Sequence, residues 1–272
     1  MLAAPFALLG VLIGSFLNVV VHRVPRALSV VSPPSACPGC GSSIAPRDNV
    51  PVLSWLVLRG RCRRCQMAIP VRYPAIELLT GVGFGVVALV FGAEVLAATS
   101  STAMIAGALR LVAVCYLAAI SIALAAIDID LRRLPDAIVL PAYAVAFVLL
   151  GASDVVAGDL VSLARAALVA GLCVLLYLVL ALAKPGGMGL GDVKLAGVLG
   201  LYLGQYGVGP AVVGTMGAFV LGGLFGIGML LAGRISRGGA MPFGPWMLAG
   251  AWVGLLFGEP LWNGYLAVFG LA

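Results

Sequence analysis

Gly186-Gly187-Met188-Gly189-Leu190-Gly191-Asp192-Val193-Lys194 separates two long apolar runs, 161–183 and 195–204. Four glycines in six residues cannot continue a helix cheaply, and they let another backbone come close. Asp192 stands where hydrocarbon begins, and an ionisable group at membrane depth marks a functional site by default. A second acidic cluster, Asp128-Ile129-Asp130, closes another apolar run at 103–127. The two clusters are expected to meet.

Composition sets the class. Of 272 residues, 62% are hydrophobic and 10% charged, with a mean hydropathy of +1.16. Soluble domains carry about 25% charged residues, so the chain reads as an all-α polytopic membrane protein. Apolar runs near 2–20, 75–93, 103–127, 137–152, 161–183, 193–207, 210–232 and 243–257 give about eight transmembrane helices, since roughly 20 residues cross the hydrocarbon. The run at 2–20 lacks a basic leading segment and a clear cleavage site, and is expected to be a retained helix.

Charge sets the orientation. With the amino terminus outside, the loop 22–74 is cytoplasmic and carries Arg23, Arg26, Arg47, Arg59, Arg61, Arg63, Arg64 and Arg72. The later inside segments carry Arg132 and Arg133, Lys184 and Lys194, and Arg234 and Arg237, so 14 of the 16 basic residues lie on one face. Arg110 and Arg165 are the exceptions, near outer helix ends. Glu94, Asp154, Asp159 and Glu259 fall outside. The net charge of +6 therefore reports topology, with the lipid bilayer as partner and no nucleic acid. Both acidic clusters land at one depth on the cytoplasmic face.

The first loop holds Cys37-Pro38-Gly39-Cys40 and Cys62-Arg63-Arg64-Cys65, two CxxC turns 21 residues apart. Four thiolates from two tight bends suit tetrahedral zinc in a zinc-ribbon-like loop between the first two membrane helices. Two disulfides are the alternative, disfavoured by a reducing cytoplasm. A site closed by four cysteines leaves no open position, so such a zinc is structural. The apolar patch 49–56 is either the core of this loop or a surface on the bilayer, with the core favoured.

Two carboxylates in a poorly hydrated site cannot both ionise readily, and the pair can hold and activate a water. Few other acid–base groups are present: His22 is the only histidine, and no His pair has metal-ligand spacing. Asp136 follows Pro135 and fits a helix-start acid. Between Asp128 and Asp130 the residues alone leave a near tie.

The combination Gly189-Leu190-Gly191-Asp192 (GxGD), Asp128 in the run 127–136, GSFLNVV at 14–20, the double CxxC, RYPAIELLT at 72–80 and Pro242-Phe243-Gly244-Pro245 resembles bacterial type 4 prepilin peptidases, which are GxGD intramembrane aspartic proteases. The resemblance covers nearly the whole chain. It implies a multi-pass enzyme of the cytoplasmic (inner) membrane that removes leader peptides from type 4 prepilins and from the pseudopilins of type II secretion. It implies Asp128 and Asp192 as catalytic residues, because Asp128 begins the D-x5-[LI]-P-[DN] pattern and Asp192 ends GxGD. Members with the cysteine loop commonly also N-methylate the new amino terminus with S-adenosylmethionine, and Glu77 resembles a position tied to that transfer. No GxGxxG follows a strand to mark an ordinary methyltransferase fold.

The expected parts are a first helix at 1–21, a four-cysteine zinc-binding domain at 22–74 and a transmembrane peptidase core at 75–272. Gly187, Gly189, Leu190 and Gly191 are expected to form the wall along which an extended substrate segment lies, against the alternative that these glycines only permit a tight turn. Eukaryotic-type GxGD proteases fit less well, since Ile127 precedes Asp128 and the ending is Pro-Phe-Gly-Pro. An ion transporter would place its acids near the midplane and leave the CxxC loop without a role.

Overall fold

The computed structural model describes residues 2–184, 187–234 and 241–271. Gly186 and Arg237, used above for the glycine stretch and the charge asymmetry, lie outside them. The helices in chain order are α1 (Ala3–Arg23), α2 (Leu53–Val57), α3 (Arg72–Val90), α4 (Gly92–Leu96), α5 (Ser101–Leu131), α6 (Asp136–Ala157), α7 (Leu160–Ala183), α8 (Leu190–Tyr206), α9 (Val208–Leu231) and α10 (Gly244–Val268). No strand forms among the described residues; two isolated antiparallel bridges sit in the cysteine loop.

Among the described residues, six helices are long and apolar enough to cross a membrane: α1 with the short turn that continues it to Arg26, and α3, α5, α6, α7 and α9. The runs expected at 193–207 and 243–257 do form helices, yet α8 and α10 are not among the six. At 17 residues α8 is short for a span. In α10, Gly, Trp, Pro and Glu259 dilute the apolar residues. Helix ends also differ from the hydropathy limits. α5 continues to Leu131, so Asp128 is inside the helix and not beyond it. α10 runs through Pro260, which forfeits one backbone donor without ending the helix.

Two compact units emerge. The first comprises Met1–Ala93 with the middle of α5, Cys115–Ala123. In it α1 and α3 pack with backbones nearly touching: a Cβ on Gly14 would lie 2.6 Å from Glu77 Cα. Such small-residue contacts are how helices associate in lipid, where the hydrophobic effect offers no drive. The second unit comprises Glu94–Val114 and Leu124–Ala272. There α7 grips α8 at Gly200 and Gly204, whose missing Cβ atoms would meet Ala170 and Ala166 Cα at 2.6 and 2.8 Å. α9 packs on α10 in the same way, with Gly250 against the backbone of Gly214 and Ala218. These close contacts fix where the amino-terminal ends of α8 and α10 sit.

The patch 49–56 does not form a loop core as a whole. Leu53, Leu56 and Val57 of α2 are exposed. Trp55 is half-buried, with its indole beside Gly60 and its Nε1 donating to Ile69 O at 3.1 Å, and Ser54 is half-buried with its hydroxyl donating to Arg47 O. A five-residue helix has one inward side, and Ser54 and Trp55 occupy it.

Candidate active site

Asp128 stands in the last turn of α5, 4% exposed. Its Oδ2 accepts the backbone N–H of Gly244, the first residue of α10, at 3.0 Å. Asp130, two positions on, faces outward and is exposed. A helix turns 100° per residue, so neighbours two apart cannot share a face, and the sequence tie between these acids is a difference in direction. Arg132 then takes a left-handed conformation (φ 52°) and turns the chain, its N–H bonding Asp128 O at 2.8 Å.

Asp192 is the third residue of α8. Its Oδ2 accepts the N–H of Gly189, the residue capping that helix, at 3.0 Å. This is half of a capping box, because glycine has no side chain to return the bond. The two carboxyl groups lie close enough to feel each other's charge. Leu134 touches the start of both helices: a Cβ on Gly191 would lie 3.1 Å from its Cβ, and one on Gly244 would lie 3.2 Å from its Cδ2. The positive ends of α8 and α10 thus converge where the two acids stand, a setting that favours negative charge.

Gly244 has a role that the sequence reading does not give it. A Cβ there would fall 2.8 Å from Asp128 Oδ2. The available signal is Gly244-Pro245: proline near a helix start leaves the first N–H groups free to face an anion.

The glycine stretch divides by function. Gly187, Gly189 and Gly191 have no positive φ, so a left-handed turn is not what requires them. Gly189 has room for a side chain, its nearest neighbour outside the adjoining residues being Asp192 Oδ2 at 3.5 Å. Gly191 faces Leu134 of its own chain. Leu190 is exposed. Asp136 opens α6 and pairs with Lys194 Nζ at 2.8 Å, both partly exposed.

In the first unit the Sγ atoms of Cys37, Cys40, Cys62 and Cys65 all lie within 4.8 Å of one another. Cys37 and Cys65 Sγ are 3.7 Å apart. Tetrahedral zinc with bonds of about 2.3 Å requires sulfur–sulfur edges of about 3.8 Å, so the donor set fits. All four cysteines are free thiols, not disulfides. The two knuckles repeat one another. Cys37 N donates to Ser42 O and Cys62 N to Met67 O, and Gly41 and Gln66, each following the second cysteine, are left-handed. The Ser42 hydroxyl, 3.0 Å from Cys40 Sγ, pulls that thiol down to about 6. Backbone N–H groups at Cys65 and Arg64 lower Cys62. Both effects favour the thiolate that a metal needs at Cys40 and Cys62, whereas at Cys65 the Met67 backbone N–H is outweighed by desolvation and the three neighbouring thiols, which push that thiol up to about 11.

Glu77 is not in the first turn of its helix, as an ordinary helix-start acid would be. It is buried in α3, and its Oε2 accepts Val52 N at 2.7 Å. Val52 has φ 61°, an uncommon conformation for a β-branched residue. The bond ties the cysteine loop to α3.

Two family models match: the bacterial peptidase A24 N-terminal domain over residues 8–91, and the type IV leader peptidase family over residues 115–231. Similar curated proteins are named prepilin leader peptidase/N-methyltransferase. That of Aeromonas salmonicida is 35% identical, the alignment covering 96% of this chain and 92% of the relative. That of Pseudomonas aeruginosa is 33% identical (97% and 93%), and that of Neisseria gonorrhoeae 33% (94% and 91%). No solved structure matches the chain.

Proposed function

The chain belongs to the type IV leader peptidase family, and from that premise we propose that it cleaves the leader peptides of type 4 prepilins and pseudopilins and N-methylates the new amino terminus. Asp128 and Asp192 are the catalytic pair. The observation that carries this reading is that each carboxylate has Oδ2 fixed by a backbone N–H at the start of a helix, around the shared Leu134. Each group keeps its other oxygen for the reaction.

The pair shares one proton and holds a water between its free oxygens. The ionised member takes a proton from the water as it attacks the scissile carbonyl. The protonated member gives its proton to the carbonyl oxygen, and the resulting diol collapses with proton transfer to the leaving amine. An extended substrate strand lies along Gly187–Gly191, where Gly189 leaves backbone accessible beside Asp192. Asp130 and Asp136 support helix ends and take no proton from substrate.

Cys37, Cys40, Cys62 and Cys65 hold a structural zinc that folds the segment 22–74. Methyl transfer draws its methyl group from S-adenosylmethionine, and Glu77, fixed between α3 and the cysteine loop, is the residue assigned to that second activity. Eight helices span the inner membrane, α8 and α10 included, with the amino terminus outside. Arginine and lysine at 23–72, 132–133 and 184–194 put the carboxylate pair at the cytoplasmic face.

Incubation of the purified protein with a prepilin, with and without S-adenosylmethionine, tests both activities by product mass. Loss of the leader is expected in each case, and the added mass of a methyl group only with the donor. An intact prepilin would refute the peptidase reading.

A further inference from the structure

A polar cluster at the far end of α8 has no task in peptide cleavage. It lies 13 residues beyond Asp192, about 20 Å along the helix. Asp154, in the last turns of α6, is 0% exposed, and Gln205, in the last turn of α8, is 6% exposed. Gln205 Nε2 donates to Asp154 Oδ1 at 2.5 Å. The sister atoms, Asp154 Oδ2 and Gln205 Oε1, are buried acceptors with no hydrogen-bond donor among the described residues. Orphaned buried acceptors are rare and costly, and a bound species is the ordinary explanation.

The surroundings say what kind of species. The guanidiniums at this end are engaged by other oxygens. Arg110 Nε donates to Ser153 Oγ at 2.9 Å, and its Nη1 reaches Glu94 at 3.5 Å. Arg165 donates to Gly204 O at 2.7 Å and to Gln205 O and Ser162 Oγ at 2.9 Å. Asp159 accepts from the N–H and hydroxyl of Ser162. Glu259, with Oε2 beside Gly207 and Gly209 just past the end of α8, joins Glu94, Asp154 and Asp159, so four carboxylates face two guanidiniums (Arg110, Arg165) and negative charge is in excess. α6 and α8 finish here while α7 and α9 begin here, so the helix dipoles offset one another and the side-chain charges decide. The excess of carboxylates disfavours an anion, and a cation satisfies both orphaned acceptors at once.

We propose that Asp154 Oδ2 and Gln205 Oε1 bind a hard monovalent cation of the sodium class. Carboxylate and amide oxygens are the donors that hard cations choose, and a ligand set with a single carboxylate suits a charge of one. The ion joins the end of α6 to the end of α8, and so bears on the helix whose other end carries Asp192.

Thermal unfolding of the purified protein in detergent, at fixed pH and ionic strength, in sodium, potassium or choline chloride tests the site. Sodium should raise Tm saturably above choline. Asp154→Asn should abolish that rise, as should Gln205→Met, which keeps side-chain length and removes Oε1. Sodium-23 NMR line broadening by the unaltered protein provides a readout that needs no variant to fold. Equal melting in all three salts without line broadening would overturn the proposal, as would a sodium-induced rise that survives in Asp154→Asn. A Tm that follows pH alone, identical across the salts, would show that a proton fills the place and would overturn it equally.

Discussion

At the scale of single residues, the account rests on backbone N–H groups that hold carboxylates. Gly244→Ala places a methyl group 2.8 Å from Asp128 Oδ2, and the carboxylate must move. Misplacing a catalytic group by about 1 Å can cost on the order of 100-fold in rate. A cleavage assay should show a loss of that order, with membrane insertion unchanged; normal turnover would remove Gly244 from the site. Gly189→Ala asks a different question, because its new methyl meets nothing closer than 3.5 Å within the chain. It should raise KM for prepilin while leaving Tm intact, whereas Gly191→Ala also presses on Leu134 and should lower both activity and Tm. A Gly189→Ala enzyme with unaltered KM would mean that no substrate backbone approaches there. Asp136→Asn removes an exposed ion pair with Lys194. Such pairs contribute about 0.2–1 kcal/mol, so a small fall in Tm with full cleavage is expected, and a dead enzyme would contradict the assignment.

At the scale of elements, the cysteine segment and its link to α3 form the part most dependent on a bound group. Binding of a metal by four thiolates is folding free energy for a loop whose described side chains, Cys37 apart, are exposed or half-buried. One zinc per chain should be found by elemental analysis of protein purified without chelators, and a zinc-free preparation that stays folded would refute the site. Cys37→Ser should raise hydrogen exchange across 30–70, including the Val52 amide that Glu77 accepts. The spacing of the cysteines is legible in sequence because CxxC geometry is local. The Val52–Glu77 bond is not, since it joins residues 25 apart through a conformation that valine seldom adopts. The exposed side of α2 escapes the sequence for a related reason: an apolar run of eight residues does not reveal which of them face inward.

At the scale of the whole molecule, hydropathy locates all eight long helices among the described residues but overstates how many are apolar enough to count as spans by themselves. α8 is left out by its 17 residues, and α10 because Gly, Trp, Pro260 and Glu259 dilute its apolar residues. Asp192 is legible because an acid beside four glycines breaks an apolar run. The choice of Asp128 over Asp130 needs either the family pattern or the helix direction, since both acids have the same composition around them. Charge counting alone places Asp154 outside, and only side-chain packing reveals the Asp154–Gln205 pair as interior. The central claim, that Asp128 and Asp192 share the work of cleavage, is tested most directly by prepilin cleavage with four single variants, each checked for membrane insertion. Asp128→Asn and Asp192→Asn should each abolish cleavage, because an amide keeps the shape but cannot share the proton or act as base. Asp130→Asn and Asp136→Asn should cleave at near the unaltered rate. An active Asp128→Asn enzyme beside an inactive Asp130→Asn one would contradict the account.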